Sequence, residues 1–207
     1  MNVSYAITVH NEGALLNTLL TQLLTDANRT DEVVILDDYS TDPVTKQYLV
    51  TAAAVGIKVH SHALNRDFAA HKNYLNTLCT GDYIFQLDAD ELIATELLTN
   101  LHQLLDLNDR VDLYFVPRVN TVEGLTPAHV AQWGWQVNEQ GWVQWPDYQT
   151  RLYRNDPRIR WVGAVHERIE GFTTHAYLPA DPAFALLHAK TIQRQEQQNA
   201  LYATITR

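Results

Sequence analysis

The chain has one cysteine, Cys79, among 207 residues. No disulfide can close within it, and a reducing compartment is the expectation. It also has no surplus of positive charge: 15 lysines and arginines stand against 24 acids, a formal net charge of −9. That balance argues against a duplex nucleic-acid partner, which needs a basic footprint. It argues equally against broad adhesion to an anionic membrane surface. No run reaches the ~18 apolar residues of a membrane-crossing helix. The start, Met1 to Tyr5, lacks the basic and then apolar stretch of a secretion signal. A cytoplasmic, soluble protein is expected. Glycine-rich phosphate loops are missing too. No Gly-x-Gly-x-x-Gly follows an apolar run, which argues against a dinucleotide-binding oxidoreductase. His10-Asn11-Glu12-Gly13 carries one glycine and no lysine or arginine, which does not suit a nucleotidyltransferase loop.

What is present is an ordinary globular composition, 46% hydrophobic and 19% charged. Apolar runs at 3–9, 32–37, 57–61 and 82–87 read as buried strands. Between them, 12–27, 43–55 and 67–79 read as helices, with a further helix at 94–106 and a strand at 111–118. Leu15, Leu16, Leu19, Leu20, Leu23 and Leu24 recur at the spacing of one helical face. Asp42 suits the cap and Pro43 the first position of the second helix, and Gly56 ends it. Strand and helix in alternation imply an α/β fold, Rossmann-like, with a mainly parallel sheet. After about residue 119 the texture changes to tryptophans, glycines and short strands, closing in a polar helix over 189–205. One domain, 1–207, is expected, in two subregions, 1–119 and 120–207.

The run Tyr83 to Leu87 ends in three acids, Asp88, Asp90 and Glu91. Carboxylates so crowded repel one another unless positive charge sits among them. A hard divalent cation shared with a phosphate is one solution, because Mg²⁺ and Mn²⁺ favour oxygen donors. The carboxyl ends of the strands are where open α/β sheets bind ligands. The plainer reading of the same acids is a helix cap.

Four pieces occur in order: Thr8-Val9-His10-Asn11-Glu12, Val34 through Asp37-Asp38-Tyr39-Ser40-Thr41-Asp42, His71-Lys72-Asn73, and Gly81-Asp82-Tyr83 through Asp88-Ala89-Asp90-Glu91. Together they resemble the inverting family 2 glycosyltransferases of the GT-A fold. Within these the chain looks most like the bacterial and phage branch that includes lipopolysaccharide-core glucosyltransferases. A fainter echo runs through Trp161-Val162-Gly163-Ala164-Val165-His166-Glu167 to His188.

The resemblance implies a nucleotide-sugar donor, expected to be UDP-linked, a divalent Mn²⁺ or Mg²⁺ cofactor, and a glycan or other hydroxyl acceptor. It implies that Asp90 and His188 ligate the metal and that Asp88 contacts the ribose or shares the metal. Asp37 would accept from the nucleobase, and Lys72 would neutralise the diphosphate where the family usually carries arginine. Asn11 and Glu12 would touch the nucleoside, or else cap the leucine-rich helix. Glu167 would be the base that deprotonates the acceptor, with Asp147 as runner-up. A different class stays open: a nucleotide- or sugar-binding module without turnover. Its mark would be binding with no donor hydrolysis.

Three further readings come from the residues alone. His60 and His62 lack neighbours that would complete a metal set and read as structural. The clustered tryptophans, Trp133, Trp135, Trp142 and Trp145, suit either a sugar-stacking surface or a small core. Arg151 and Arg154, three apart on a strand, face opposite sides, so at most one reaches the site.

Overall fold

The computed structural model describes the backbone of residues 1–205 and the side chains of residues 1–200. Apolar runs and amphipathic helices alternate as β1 (Val3–Val9), α1 (Ala14–Asp26), β2 (Glu32–Asp37), α2 (Pro43–Ala54), β3 (Lys58–Ser61), α3 (Phe68–Asn76) and β4 (Tyr83–Asp88). They continue as β5 (Glu91–Ile93), α4 (Thr95–Leu107), β6 (Leu113–Val116), β7 (Arg118–Glu123) and α5 (Pro127–Trp133). The chain then runs through β8 (Gln149–Arg154), β9 (Arg160–Val162), β10 (Arg168–Glu170), β11 (His175–Tyr177), β12 (Leu186–Thr191) and α6 (Ile192–Ile205).

Seven strands form the main sheet in the order β11-β6-β8-β4-β1-β2-β3. β1 to β4 pair in parallel, and β8 enters antiparallel between β4 and β6. A second sheet, β5-β12-β7, and the hairpin β9–β10 stand beside it. The expected α/β architecture with a mainly parallel sheet is observed.

Strand parity splits the core in two. Val3, Tyr5, Ile7 and Val9 of β1 join Tyr83, Phe85 and Leu87 of β4 on the face covered by α1 and α4. Ala6 and Ile84 point to the opposite face, where α3 and the β9–β10 hairpin bring Ala69, Leu75, Trp161 and Ile169. Burying a leucine of α1 or α4 contributes about 1.5–3 kcal/mol. Asp42 caps α2 by accepting from the Thr45 amide at 2.7 Å, and Pro43 opens the helix. Among the described residues no helix is long and apolar enough to cross a membrane.

Three expectations need correction. The six leucines of α1 span about half the helix circumference at 3.6 residues per turn. Only Leu16, Leu19, Leu20 and Leu23 reach the core, while Leu15 and Leu24 are exposed. Pro117 has no N–H to give a ladder, and the single strand expected at 111–118 is divided there into β6 and β7. Residues 189–191 continue β12, held in register by β7, so His188 lies within a strand and the last helix opens only at Ile192. The subregions on either side of 119 share the main sheet, to which β8 and β11 also belong.

Candidate active site

The carboxyl ends of β1, β2 and β4 open into a cavity of ≈ 910 Å³. Asn11, Glu12, Asp38, Asp88 and Asp90 line it from the strand ends, and Lys72 from α3. Arg118, Asn120, Asp147, Arg151, Glu167, His188, Lys190 and Arg194 close the far side.

The acids at the end of β4 are answered by arginines. Arg151 places one guanidinium nitrogen 2.5 Å from Asp88 Oδ2 and 3.0 Å from Glu91 Oε1. Arg118 donates to the same Glu91 oxygen at 2.9 Å. Glu91 Oε2 accepts the Asp88 amide at 3.0 Å, which ties the turn to its own strand end. Glu91 is fully buried, so its pairing with two guanidinium groups is a condition of folding. Burial pushes the Asp88 carboxyl up, but the charge and hydrogen bond of Arg151, with the charges of Lys72 and Arg118, together outweigh this and hold it well below the ordinary range. Arg154 turns the other way, to the Tyr83 hydroxyl at 2.9 Å, as strand parity requires.

A hydrogen-bonded chain fixes His188. Asp147 Oδ2 accepts from Asn120 Nδ2 at 2.8 Å, and from Arg118 Nε and a terminal nitrogen at 3.0 and 2.7 Å. A carboxylate accepts only, so the amide nitrogen of Asn120 must face it and Asn120 Oδ1 must face His188 Nδ1, at 2.8 Å. His188 Nδ1 therefore carries a proton. Nε2 then points at Asp90 Oδ2, 3.2 Å away. Burial raises the Asp90 carboxyl, but the hydrogen bond and charge of His188 outweigh burial and bring it below its ordinary value. Arg194 reaches the same Asp90 oxygen at 3.1 Å and also pairs with Glu12.

This donor set suits a divalent cation of intermediate hardness. With a cation bound and Nε2 carrying no proton, His188 and Asp90 would aim a nitrogen and an oxygen lone pair at one region, and Asn120 orients the imidazole from behind. Among the described residues no three His, Cys, Asp or Glu side chains converge. Mg²⁺ and its relatives commonly take one or two protein ligands and fill the remainder with phosphate and water.

Glu167 sits where the β9–β10 turn meets α3. Its Oε1 accepts from Lys72 Nζ at 2.5 Å, and Nζ lies 4.4 Å from the centre of the Trp161 ring. The turn is anchored by the Phe68 amide, which donates to Ala164 O at 3.0 Å. Asn73, one residue past Lys72, grips the backbone of Trp161 on both sides. Its Oδ1 accepts from the Trp161 amide at 2.9 Å, and its Nδ2 donates to the carbonyl at 2.8 Å.

The structure thus brings together Asn11, Glu12, Lys72, Asp88, Asp90, Glu167 and His188. It places Asp37 differently. Both Asp37 oxygens accept the Ser40 amide, at 3.1 and 3.2 Å, within the turn after β2, and it is the next residue, Asp38, that lines the cavity. Strand alternation accounts for the difference, since neighbouring side chains face opposite ways. Lys72 is engaged by Glu167, not free on the donor side. Neither Asn11 nor Glu12 caps α1: Gly13 holds that position without a side-chain bond. Asn11 Oδ1 instead accepts from the Thr41 and Asp42 amides at 2.7 and 2.8 Å. Trp135 lines the cavity, while Trp142 and Trp145 pack against each other. His62 stacks on Tyr74.

Arg118, Asn120, Lys190 and Arg194 were not anticipated. Lys190 was legible, standing two residues from His188 on one strand and so on the same face. Arg118 and Asn120 share a parity in the same way, but their pairing with β12 is long-range.

With this geometry in place, the comparisons are direct. The profile of "Glycosyl transferase family 2" matches residues 4–168. The chain belongs to that family. It is 29% identical over 168 residues to a TPR repeat-containing protein of Synechococcus elongatus, covering 81% of this chain and 35% of that one. It therefore spans about a third of the length of that curated relative. Among solved structures it is similar to residues 1–349 of TarS from S. aureus, with a TM-score of 0.64 and 18% identity over 91% of this chain and 60% of that one. The same TarS fragment in complex with UDP-GlcNAc gives a TM-score of 0.61 over 92% of this chain and 59% of that one, at 18% identity. These likenesses identify the GT-A fold.

Proposed function

We propose that the cavity is the active site of a metal-dependent, inverting glycosyltransferase that moves a sugar from a UDP-linked donor to a glycan hydroxyl. The observation that carries this reading is the convergence of Asp90 and His188 in a cavity that Glu167 also lines. TarS, which shares the fold, is seen with UDP-GlcNAc. The resemblance to the lipopolysaccharide-core branch supports a sugar acceptor. The lone buried Cys79 supports a cytoplasmic setting. The whole of residues 1–207 is read as one glycosyltransferase domain.

In this reading Asp90 and His188 hold a divalent cation, which when bound supplies Lewis-acid neutralisation of the leaving diphosphate. Asp88, fixed by Arg151, faces the ribose. Asp38 takes the nucleobase role expected of Asp37. Glu167 accepts the proton of the acceptor hydroxyl as that oxygen attacks the anomeric carbon from the face opposite the diphosphate. Lys72 holds Glu167 in place through Oε1. Asp147 is the poorer base, because Arg118, Asn120 and Gln149 all donate to it. Burial raises its carboxyl, but the Arg118 charge and the hydrogen bonds of Asn120, Arg118 and Gln149 together outweigh this and leave it below its ordinary value.

The test is calorimetric titration with UDP, GDP, CMP and dTDP, with and without Mn²⁺, beside Asp90→Asn. Metal-dependent binding of UDP, lost in the variant, is the expected result. A folded protein that binds none of the four sinks the proposal. Binding of UDP with no donor hydrolysis or transfer favours the silent binding module.

A further inference from the structure

Arg194 lies in the first turn of α6, far in sequence from the acids it meets. Its guanidinium contacts Asp90 Oδ2 at 3.1 Å and the Glu12 carboxylate. The same Asp90 oxygen is the one His188 Nε2 faces. Arg194 thus stands beside the place where Asp90 and His188 would share a cation. A guanidinium and a divalent cation on one carboxylate oxygen repel each other, so both cannot keep these positions. The arginine has another place to go. Its side chain is long, a third of it is exposed, and a guanidinium fork matches phosphate oxygens.

Glu12 gives the complementary observation. Burial pushes its carboxyl above the ordinary value, and the hydrogen bond and charge of Arg194 only partly offset this. Without Arg194, Glu12 needs new donors, and the hydroxyls of a nucleoside supply them at the end of β1. Lys190, the neighbouring cation, donates to Gln198 Oε1 at 2.5 Å.

We propose that Arg194 is a movable counter-charge. In the donor-free protein it bridges Asp90 and Glu12. When a nucleoside diphosphate arrives with its divalent cation, the cation takes Asp90 and Arg194 turns to the diphosphate. The inference rests on the nucleoside-diphosphate reading above. Its consequence is that cation and nucleotide bind as a pair, because Arg194 blocks the cation alone and rewards the diphosphate. It also moves the phosphate-neutralising role expected of Lys72 onto α6, since Lys72 is committed to Glu167.

The experiment measures Mn²⁺ affinity without nucleotide, and UDP affinity at saturating Mn²⁺, for the full chain and for Arg194→Gln and Arg194→Lys. Unfolding midpoints are recorded alongside. In Arg194→Gln, Mn²⁺ alone should bind about tenfold tighter and UDP about tenfold weaker, inside the 5–150-fold range of ordinary site coupling. Arg194→Lys should recover part of the UDP affinity. These opposite shifts are the signature, because a merely structural arginine would weaken both. Unchanged affinities, or losses of both in a folded variant, overturn the proposal. If the unaltered chain binds no nucleotide, the functional reading fails first. A tighter Mn²⁺ site in Arg194→Gln would then still support the blocking half of the inference, and an unchanged one would overturn it.

Discussion

The two halves of the chain contribute opposite charges to one cavity. Up to the end of β5 the sequence supplies Glu12, Asp38, Asp88 and Asp90, with Glu91 buried behind them. From Arg118 onward it supplies Arg118, Arg151, His188, Lys190 and Arg194. Each half alone would carry a cluster of like charges near buried backbone, which is costly. Docked, they neutralise each other except where a ligand is meant to intervene. Two second-half acids run against the pattern: Asp147, which pairs with Arg118 of its own half, and Glu167, which pairs across the halves with Lys72. The pair that crosses the halves falls at the residue read as the base, where the site needs an acid on the acceptor side.

Neutralising the acid of that crossing pair gives the largest expected effect. Glu167→Gln should lower kcat by about 10²–10⁴-fold, the usual contribution of a general base, with UDP affinity in Mn²⁺ within about twofold. An equal loss of turnover in Asp147→Asn, with Glu167→Gln active, would move the base to Asp147.

The next effect tests whether the halves fold together. Glu91→Ala leaves Arg118 and Arg151 facing one another without their shared carboxylate. It should cost about 3–5 kcal/mol in urea unfolding, within a single transition. Two separated transitions, with only one shifted, would break the picture of interdependent halves.

The smallest effect lies within the first half, where Glu32 is paired locally. It accepts from Lys58, Ser4 and the Thr80 amide, each at 2.5 Å. Burial raises its carboxyl, but these partners outweigh it and lower it from 4.5 to about 2. A depressed acid stabilises the fold fully above its unfolded value of 4.5, and the contribution is lost as pH falls through about 2. Glu32→Gln should therefore flatten the fall of stability across that window, while leaving the cavity and nucleotide binding unchanged. An identical acid-unfolding profile would show that Glu32 is solvated in solution.

The same contrast governs how much was legible. The first half is periodic, and its strands end at acids, so β1 to β4, the cap at Asp42 and the cluster at Asp88 could be read from spacing alone. Asp37 and Asp38 exchange places because a parity argument needs a known face, and a strand buried on both faces offers none. In the second half the decisive contacts join residues 60 or more apart: Arg151 to Glu91, Asn120 to His188, Arg194 to Glu12. A polar helix read locally gives no sign that its first turn reaches the end of β1. Glu167 and His188 were reached through resemblance to a family, since nothing in their own spacing points to the cavity.

The grip of Asn73 on Trp161 has a consequence beyond orientation. A side-chain amide that gives one hydrogen bond and takes one from the same residue imitates a neighbouring strand. β9 is paired with β10 on one side only. On its other side Asn73 meets the backbone groups of Trp161, as a one-residue substitute for a third strand. That closes an edge which would otherwise be a template for another chain. Residue 73 thus protects the two-stranded ribbon from adding a stranger.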